Sequence, residues 1–169
     1  MGTSFDAITP EQAALIRESP VFFVASVAPD LVGGSHGQGP VNLSPKGGSP
    51  LHVIDEHRVA YLDYTGSGNE TARHARAGGP ITVMVMSMGR EDAAVVRLYG
   101  HATVTPIAES PLAPLLQSAP AESIELPERQ VIDIRIESTQ TSCGYGVPVF
   151  EFRSQRVRAQ RGRRFKQPA

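Results

Sequence analysis

Cysteine occurs only once in the 169 residues, at Cys143, so an internal disulfide is excluded and a reducing compartment suits the chain. No apolar run approaches the roughly 18 residues needed to cross a bilayer. The N-terminus, MGTSFDAITPEQ, lacks the basic region and apolar core of a signal peptide, and these features together point to the cytoplasm with no membrane partner. Charge of either sign is not in excess: 16 basic and 17 acidic residues give a formal net charge of −1, which removes any global attraction to nucleic acid. The five histidines and Cys143 show no metal-ligand spacing, so no metal site is expected. There is no internal repeat and no linker long enough to separate domains.

What is present is enough for one core. A hydrophobic content of 40% fills a single domain over residues 1–152, leaving residues 153–169 as a basic tail. That tail carries Arg153, Arg156, Arg158, Arg161, Arg163, Arg164 and Lys166 and has little to bury, so it reads as a flexible terminus or a solvated face. Phosphate attraction alone is the one route left to salt-sensitive nucleic-acid binding, and no nucleic-acid partner is expected. Phe165 is the only aromatic after Phe152 and offers no platform for stacking bases.

Thr9-Pro10-Glu11-Gln12 combines an N-cap, a proline at the first helical position and a capping-box glutamine, predicting a short helix that ends before Pro20. Val21 to Val27 reads as a strand, and the glycine-rich stretch from Ala28 to Pro40 as a loop. A further strand starts near Val41. Pro45 cannot donate to a ladder, which puts it at an edge, a bulge or the strand end. Val59 to Tyr64, Ile81 to Met88, Ala94 to Val104 and Val131 to Glu137 are further strands. In the last two, apolar residues alternate with Arg97, Tyr99, His101 and Thr103 and with Asp133, Arg135 and Glu137. Pro106 to Pro127 holds a short helix near Leu112 to Gln117. The fold class is mainly β with some α: about six or more antiparallel strands in a closed or partly open barrel with a few short peripheral helices.

The most informative stretch is Val41 to Arg76. Ser67, Gly68, Asn69 and Glu70 form an S-x-x-E capping box, predicting a helix that begins there after the strand and glycine turn YLDYTGSG. Free amides and the dipole at such a start favour an anion, and Lys46 on the preceding polar strand VNLSPKG can bring an ammonium alongside. An ordinary capped helix explains the box by itself. Asn42, Ser44, Asp63, Thr65, Ser67 and Thr71 add more hydrogen-bonding groups than capping needs. Cys143 is either an accessible thiol or a small residue fitting a tight turn, and nothing adjacent would lower its pKa. His74 and His101 read as surface or packing residues.

The ordered motifs VNLSPKG, YLDYTGSGNET, RLYG and SCGYGVP resemble the pyridoxamine 5′-phosphate oxidase-related flavoproteins over about Pro20 to Phe152. The resemblance implies a split β-barrel that binds FMN, or as a variant a deazaflavin, in clefts at the interface of a homodimer. It places Lys46 and the turn-helix residues Ser67, Gly68, Asn69 and Thr71 on the phosphate side. Asn42, Leu43 and Ser44 would lie along the isoalloxazine, with Asp63, Tyr64 and Thr65 near the ribityl chain or ring edge. Ser142 and Cys143 would approach the flavin from the same or the partner subunit. No catalytic side chain is assigned, because the flavin ring carries the redox chemistry. Members that oxidise pyridoxamine phosphate carry a C-terminal arginine-x-histidine element, whereas the last histidine here is His101, so the resemblance implies a different small-molecule substrate.

Two function classes follow. One is an FMN-dependent oxidoreductase. The other is a non-enzymatic flavin or deazaflavin carrier or regulatory module whose basic tail recruits a partner.

Overall fold

A computed structural model describes residues 2–35, 38–66, 68–118, 126–157, 160 and 162. Ser67 and the tail residues Arg158, Arg161, Arg163, Arg164, Phe165 and Lys166 lie outside the described residues. Among the described residues no helix is long and apolar enough to cross a membrane.

The elements run β1 (Thr3–Phe5), α1 (Pro10–Glu18), β2 (Val21–Val27), β3 (Val41–Gly47), β4 (His52–Asp55), β5 (Arg58–Tyr64), α2 (Glu70–Arg76), β6 (Pro80–Met86), β7 (Ala94–Pro106), a 3₁₀ turn (Ile107–Glu109), α3 (Ala113–Gln117) and β8 (Glu128–Cys143). The strands form one antiparallel sheet in the order β3-β2-β6-β7-β8-β5-β4, with β1 added against β8. Near its two ends the sheet meets itself through side chains: Lys46 of the edge strand β3 reaches Asp63 of β5 at 3.4 Å. The sheet is therefore curled into a barrel that stays split at this seam, as the mainly β reading expects.

α1 forms where its capping signal lies. Thr9 Oγ1 accepts from the Gln12 amide, and the Gln12 side chain accepts from the Thr9 amide in return. Val24, Val59, Tyr61, Val83, Leu98, Ile132, Ile134 and Ile136 fill the barrel interior. β5 is buried on both faces because α3 covers its outer side, where Ala60 and Leu62 pack against Ala113, Leu116 and Val131. That double burial accounts for the unbroken apolar run VAYL.

Two strands are additions to the sequence-based prediction. β1 is three exposed residues with no apolar alternation, held by its register on Thr139 to Thr141 of β8. β4 pairs with β5 through a tight hairpin in which Asp55 Oδ1 accepts from the His57 amide at 2.8 Å. β8 also runs beyond the predicted Val131 to Glu137 in both directions, because β7 and β5 both pair with it. Between Tyr99 and Gly100 the β7–β8 register shifts in a bulge. A Cβ on Gly100 would lie 1.9 Å from the Arg135 carbonyl oxygen, so the strands pass there only because residue 100 has no side chain.

The predicted capping box at Ser67 does not start α2. The helix begins at Glu70 with Asn69 as N-cap, and Asn69 makes no side-chain cap bond. Glu70 is thus the first helical residue rather than the third. The Asn69 side chain is committed elsewhere.

Candidate functional site

The period of two in β3 puts Asn42, Ser44 and Lys46 on its inner face and turns Leu43 and Pro45 outward. Pro45 takes the edge position that its missing donor requires. Across the seam, β5 delivers Asp63 and Tyr64, the turn after it delivers Gly66, Gly68 and Asn69, and α2 delivers Glu70 and Thr71. With Arg129 of β8 these residues line a cleft of about 300 Å³.

Asp63 is the electrostatic centre. Its carboxylate accepts from Lys46 Nζ at 3.4 Å, from Arg129 Nη2 at 2.6 Å and Nε at 3.2 Å, and from Gln130 Nε2 at 2.7 Å. Arg129 also donates to the Gly68 carbonyl at 3.2 Å, tying the turn to β8. Glu70 lies over Gly68 at the mouth and balances the formal charge. The polarity of the lining is nevertheless one-sided, since Asp63 is saturated by its three donor residues.

Asn42 Nδ2 donates to Thr71 Oγ1 at 3.1 Å, which leaves the threonine proton to be donated onward. Ser44 Oγ and the Tyr64 hydroxyl are buried with no hydrogen-bond partner among the described residues. Burial pushes the Tyr64 phenol up, and the nearby Ser49 hydroxyl offsets some of the rise without meeting bonding geometry. Buried hydroxyls left unbonded are costly unless a ligand or water completes them. Lys46 sits 5.8 Å from the centre of the Tyr61 ring, whose phenol is pushed up by burial and then by Asp63.

Of the sequence-predicted site residues, Asn42, Ser44, Lys46, Asp63, Tyr64, Gly68, Asn69 and Thr71 come together in this cleft. Leu43 does not: it projects from the opposite face of β3 and is 67% exposed. Thr65 is also outside the lining, with its amide bonded to the Pro127 carbonyl at 2.9 Å and its side chain exposed. Ser142 and Cys143 stand about 40 Å of strand away from Gln130 on β8, where Arg97 Nη1 donates to Ser142 Oγ at 3.1 Å and Cys143 is exposed.

Arg129 and Gln130 are the residues that sequence reasoning missed. Only Gln130 continues the inward parity of Ile132, Ile134 and Ile136, and nothing local in the sequence ties either residue to Asp63. His74 is fully buried, the packing role of the two that the sequence allowed, with Nδ1 2.9 Å from Ser26 Oγ and Nε2 2.9 Å from Arg73 Nη2. Arg73 can only donate, so Nε2 is the acceptor and Nδ1 carries the proton. Burial lowers its pKa, and the Arg73 charge adds to the effect. Among the described residues no cluster of histidine, cysteine and carboxylates has the geometry to hold a metal.

A curled antiparallel sheet with a donor-rich cleft at its open seam defines the split β-barrel class. A family model described as pyridoxamine 5′-phosphate oxidase matches residues 8–143, and the chain belongs to that family. It is 37% identical over 134 residues to the pyridoxamine 5′-phosphate oxidase family protein ustO of Aspergillus flavus, covering 78% of this chain and 50% of that protein. The chain thus spans about half the length of this curated relative. Among solved structures it resembles HupZ from Group A Streptococcus, with 22% identity, TM-score 0.58, 80% of this chain and 99% of that one. It also resembles an FMN-binding protein from Syntrophomonas wolfei, with 13% identity, TM-score 0.56, 83% of this chain and 85% of that one. At these identities the likeness concerns the fold.

Proposed function

We propose that this chain is an FMN-dependent oxidoreductase that acts on a small molecule as a homodimer. The observation that carries the reading is the donor set of the seam cleft. Lys46, Arg129, the Thr71 hydroxyl and the unbonded buried hydroxyl of Ser44 line one polar space. Such a set fits a ligand rich in acceptors and negative charge, as a flavin phosphate with its ribityl chain and ring carbonyls is.

Lys46 and Arg129 would hold the phosphate, while Asn42 and Ser44 would orient the ring. The bound flavin would supply hydride transfer, a chemistry that asks the protein for orientation and access more than for an acid or base. The cleft agrees with that division, because its deepest carboxylate, Asp63, is occupied by three donor residues. A deazaflavin phosphate meets the same groups, and competition between the two cofactors distinguishes them.

In the homodimer the Ser142–Cys143 end of a second copy would close the cleft. Support comes from the absence of this segment from the lining of its own chain's cleft and from the exposed apolar side chains of Val41, Leu43, Phe150 and Phe152. Histidines 52, 57, 74 and 101 all lie outside the cleft lining. Pyridoxamine 5′-phosphate is accordingly the substrate expected to fail in a screen.

Titration of the purified protein with FMN, followed by absorbance and fluorescence, tests the reading. Saturable binding and reduction of the bound flavin by a substrate or artificial donor are the expected results. Absence of FMN and deazaflavin binding would overturn it, and tight binding without electron transfer to oxygen, quinones or dyes would leave a carrier in its place.

A further inference from the structure

Gln130 is 3% exposed and does not line the cleft, yet its amide touches two residues that do. Nε2 donates to Asp63 Oδ2 at 2.7 Å and to Asn69 Oδ1 at 2.9 Å, while Oε1 accepts from Arg76 Nη2 at 2.9 Å. The orientation of this amide is fixed by chemistry at both ends. A guanidinium can only donate, so the atom facing Arg76 must be oxygen, and an ionised carboxylate can only accept, so the atom facing Asp63 must be nitrogen.

Asn69 inherits that orientation. Because Gln130 presents N–H to it, Asn69 must present its carbonyl oxygen, and its own NH₂ is left at the cleft. Asn69 also forgoes the usual role of an asparagine at an N-cap, since α2 has no side-chain cap bond. Giving up such a cap costs about 1 kcal/mol. The side chain is held for another purpose.

We propose that Arg76 and Gln130 are positioning residues that set the donor polarity of the cleft. Arg76, exposed on the last turn of α2, and Asp63 together orient Gln130; Gln130 orients Asn69; and Asn69 offers NH₂ to an acceptor-only group, a phosphate monoester. This rests on the flavin-phosphate reading above. The relay makes the cleft selective for a phosphorylated over an unphosphorylated ligand through a residue that touches neither.

The test compares FMN with riboflavin, and it uses Arg76 because an exposed side chain can be changed without endangering the fold. Arg76→Met, which leaves Asp63 as the remaining anchor of the Gln130 amide, should weaken FMN about threefold, less than the loss of one whole hydrogen bond to a charged group, and leave riboflavin unchanged, while Arg76→Lys restores FMN binding. Gln130→Glu, which cannot donate to Asn69, should have the larger effect. Equal weakening of both ligands by Arg76→Met, or none, would overturn the relay.

A second measurement stands apart from flavin binding. In nitrogen-15 spectra the Asn69 side-chain amide should shift on titration with inorganic phosphate in the wild type and respond more weakly in Arg76→Met. If that shift occurs while FMN fails to bind, the flavin reading falls and the polarity of Asn69 stands. An Asn69 amide that answers to neither phosphate nor FMN sinks the relay itself.

Discussion

Lys46 Nζ and Asp63 Oδ1 meet at 3.4 Å across the seam of the barrel, joining the edge strand β3 to β5, the strand next to the other end of the sheet order. Removing the lysine should separate binding from stability. Asp63 keeps Arg129 and Gln130 as donors, and a partly exposed pair of this kind contributes at most about 1 kcal/mol. Lys46→Ala is expected to change thermal stability by no more than that and to weaken FMN about tenfold or more, because a phosphate loses a charge-assisted partner. Parallel melting curves and FMN titrations check it, and an unchanged affinity would remove Lys46 from the phosphate side.

Asp63→Asn should do the opposite to the two quantities. Neutralising a carboxylate that accepts from three residues leaves Lys46 and Arg129 without their counter-charge, for a loss of about 1–3 kcal/mol. The same change removes the protein's own competitor for those cations. Affinity for inorganic phosphate should therefore rise while the denaturation midpoint falls. A fall in both would mean that Asp63 organises the cleft rather than competing within it.

His74 gives stability a pH dependence whose sign follows from its neutral burial. Burial lowers its folded pKa, so between that value and the unfolded value of about 6.5 the unfolded state binds more protons. Its contribution is fully present above about pH 6.5 and is lost as pH falls through the folded value. Burial lowers His52 as well, which acts in the same direction. The melting temperature of the wild type should drop as pH is taken from about 7 to 5, and more steeply than that of His74→Leu. Equal slopes would place the titrating group elsewhere.

Much of the barrel was legible because its signals are local. Alternation in Val96 to Val104 and Val131 to Glu137 and the Thr9 capping box each act within a few residues, and the corresponding elements form there. The polar residues of VNLSPKG and the turn after Tyr64 likewise announced most of the cleft. Arg129 and Gln130 were not legible, since they reach Asp63 through pairing of β5 with β8, a contact between residues more than 60 positions apart. The capping box misled for a related reason: Asn69 bonds Gln130, and a tertiary partner overrides the local motif. β1 has no pattern of its own and exists only through its register on β8.

The bulge at Gly100 makes a sharper claim on stability. An added methyl would meet the Arg135 carbonyl oxygen at 1.9 Å and the Arg135 carbonyl carbon at 2.9 Å, both backbone atoms that cannot swing aside. Gly100→Ala should cost about 3 kcal/mol or more by forcing β7 and β8 apart, and a chemical denaturation curve measures it. Gly89, where an added Cβ meets nothing within 4 Å, is the control. Gly89→Ala is expected to stay within about 0.5 kcal/mol of the wild type.

The outward face of β3 bears on the proposed homodimer. Val41 and Leu43 are 62% and 67% exposed on an edge strand whose inner face builds the cleft, so a second copy seated there would cover apolar surface and border the ligand at once. Leu43 packs little within its own chain, and Leu43→Glu should leave the monomer folded. Sedimentation should show the wild type as a dimer and the variant shifted toward monomer, with FMN affinity reduced about tenfold in step if the cleft needs the second copy. A wild type that is monomeric at micromolar concentration and still binds FMN would show the cleft to be sufficient in one chain, and the exposed Leu43 face would then have no role in holding the cofactor.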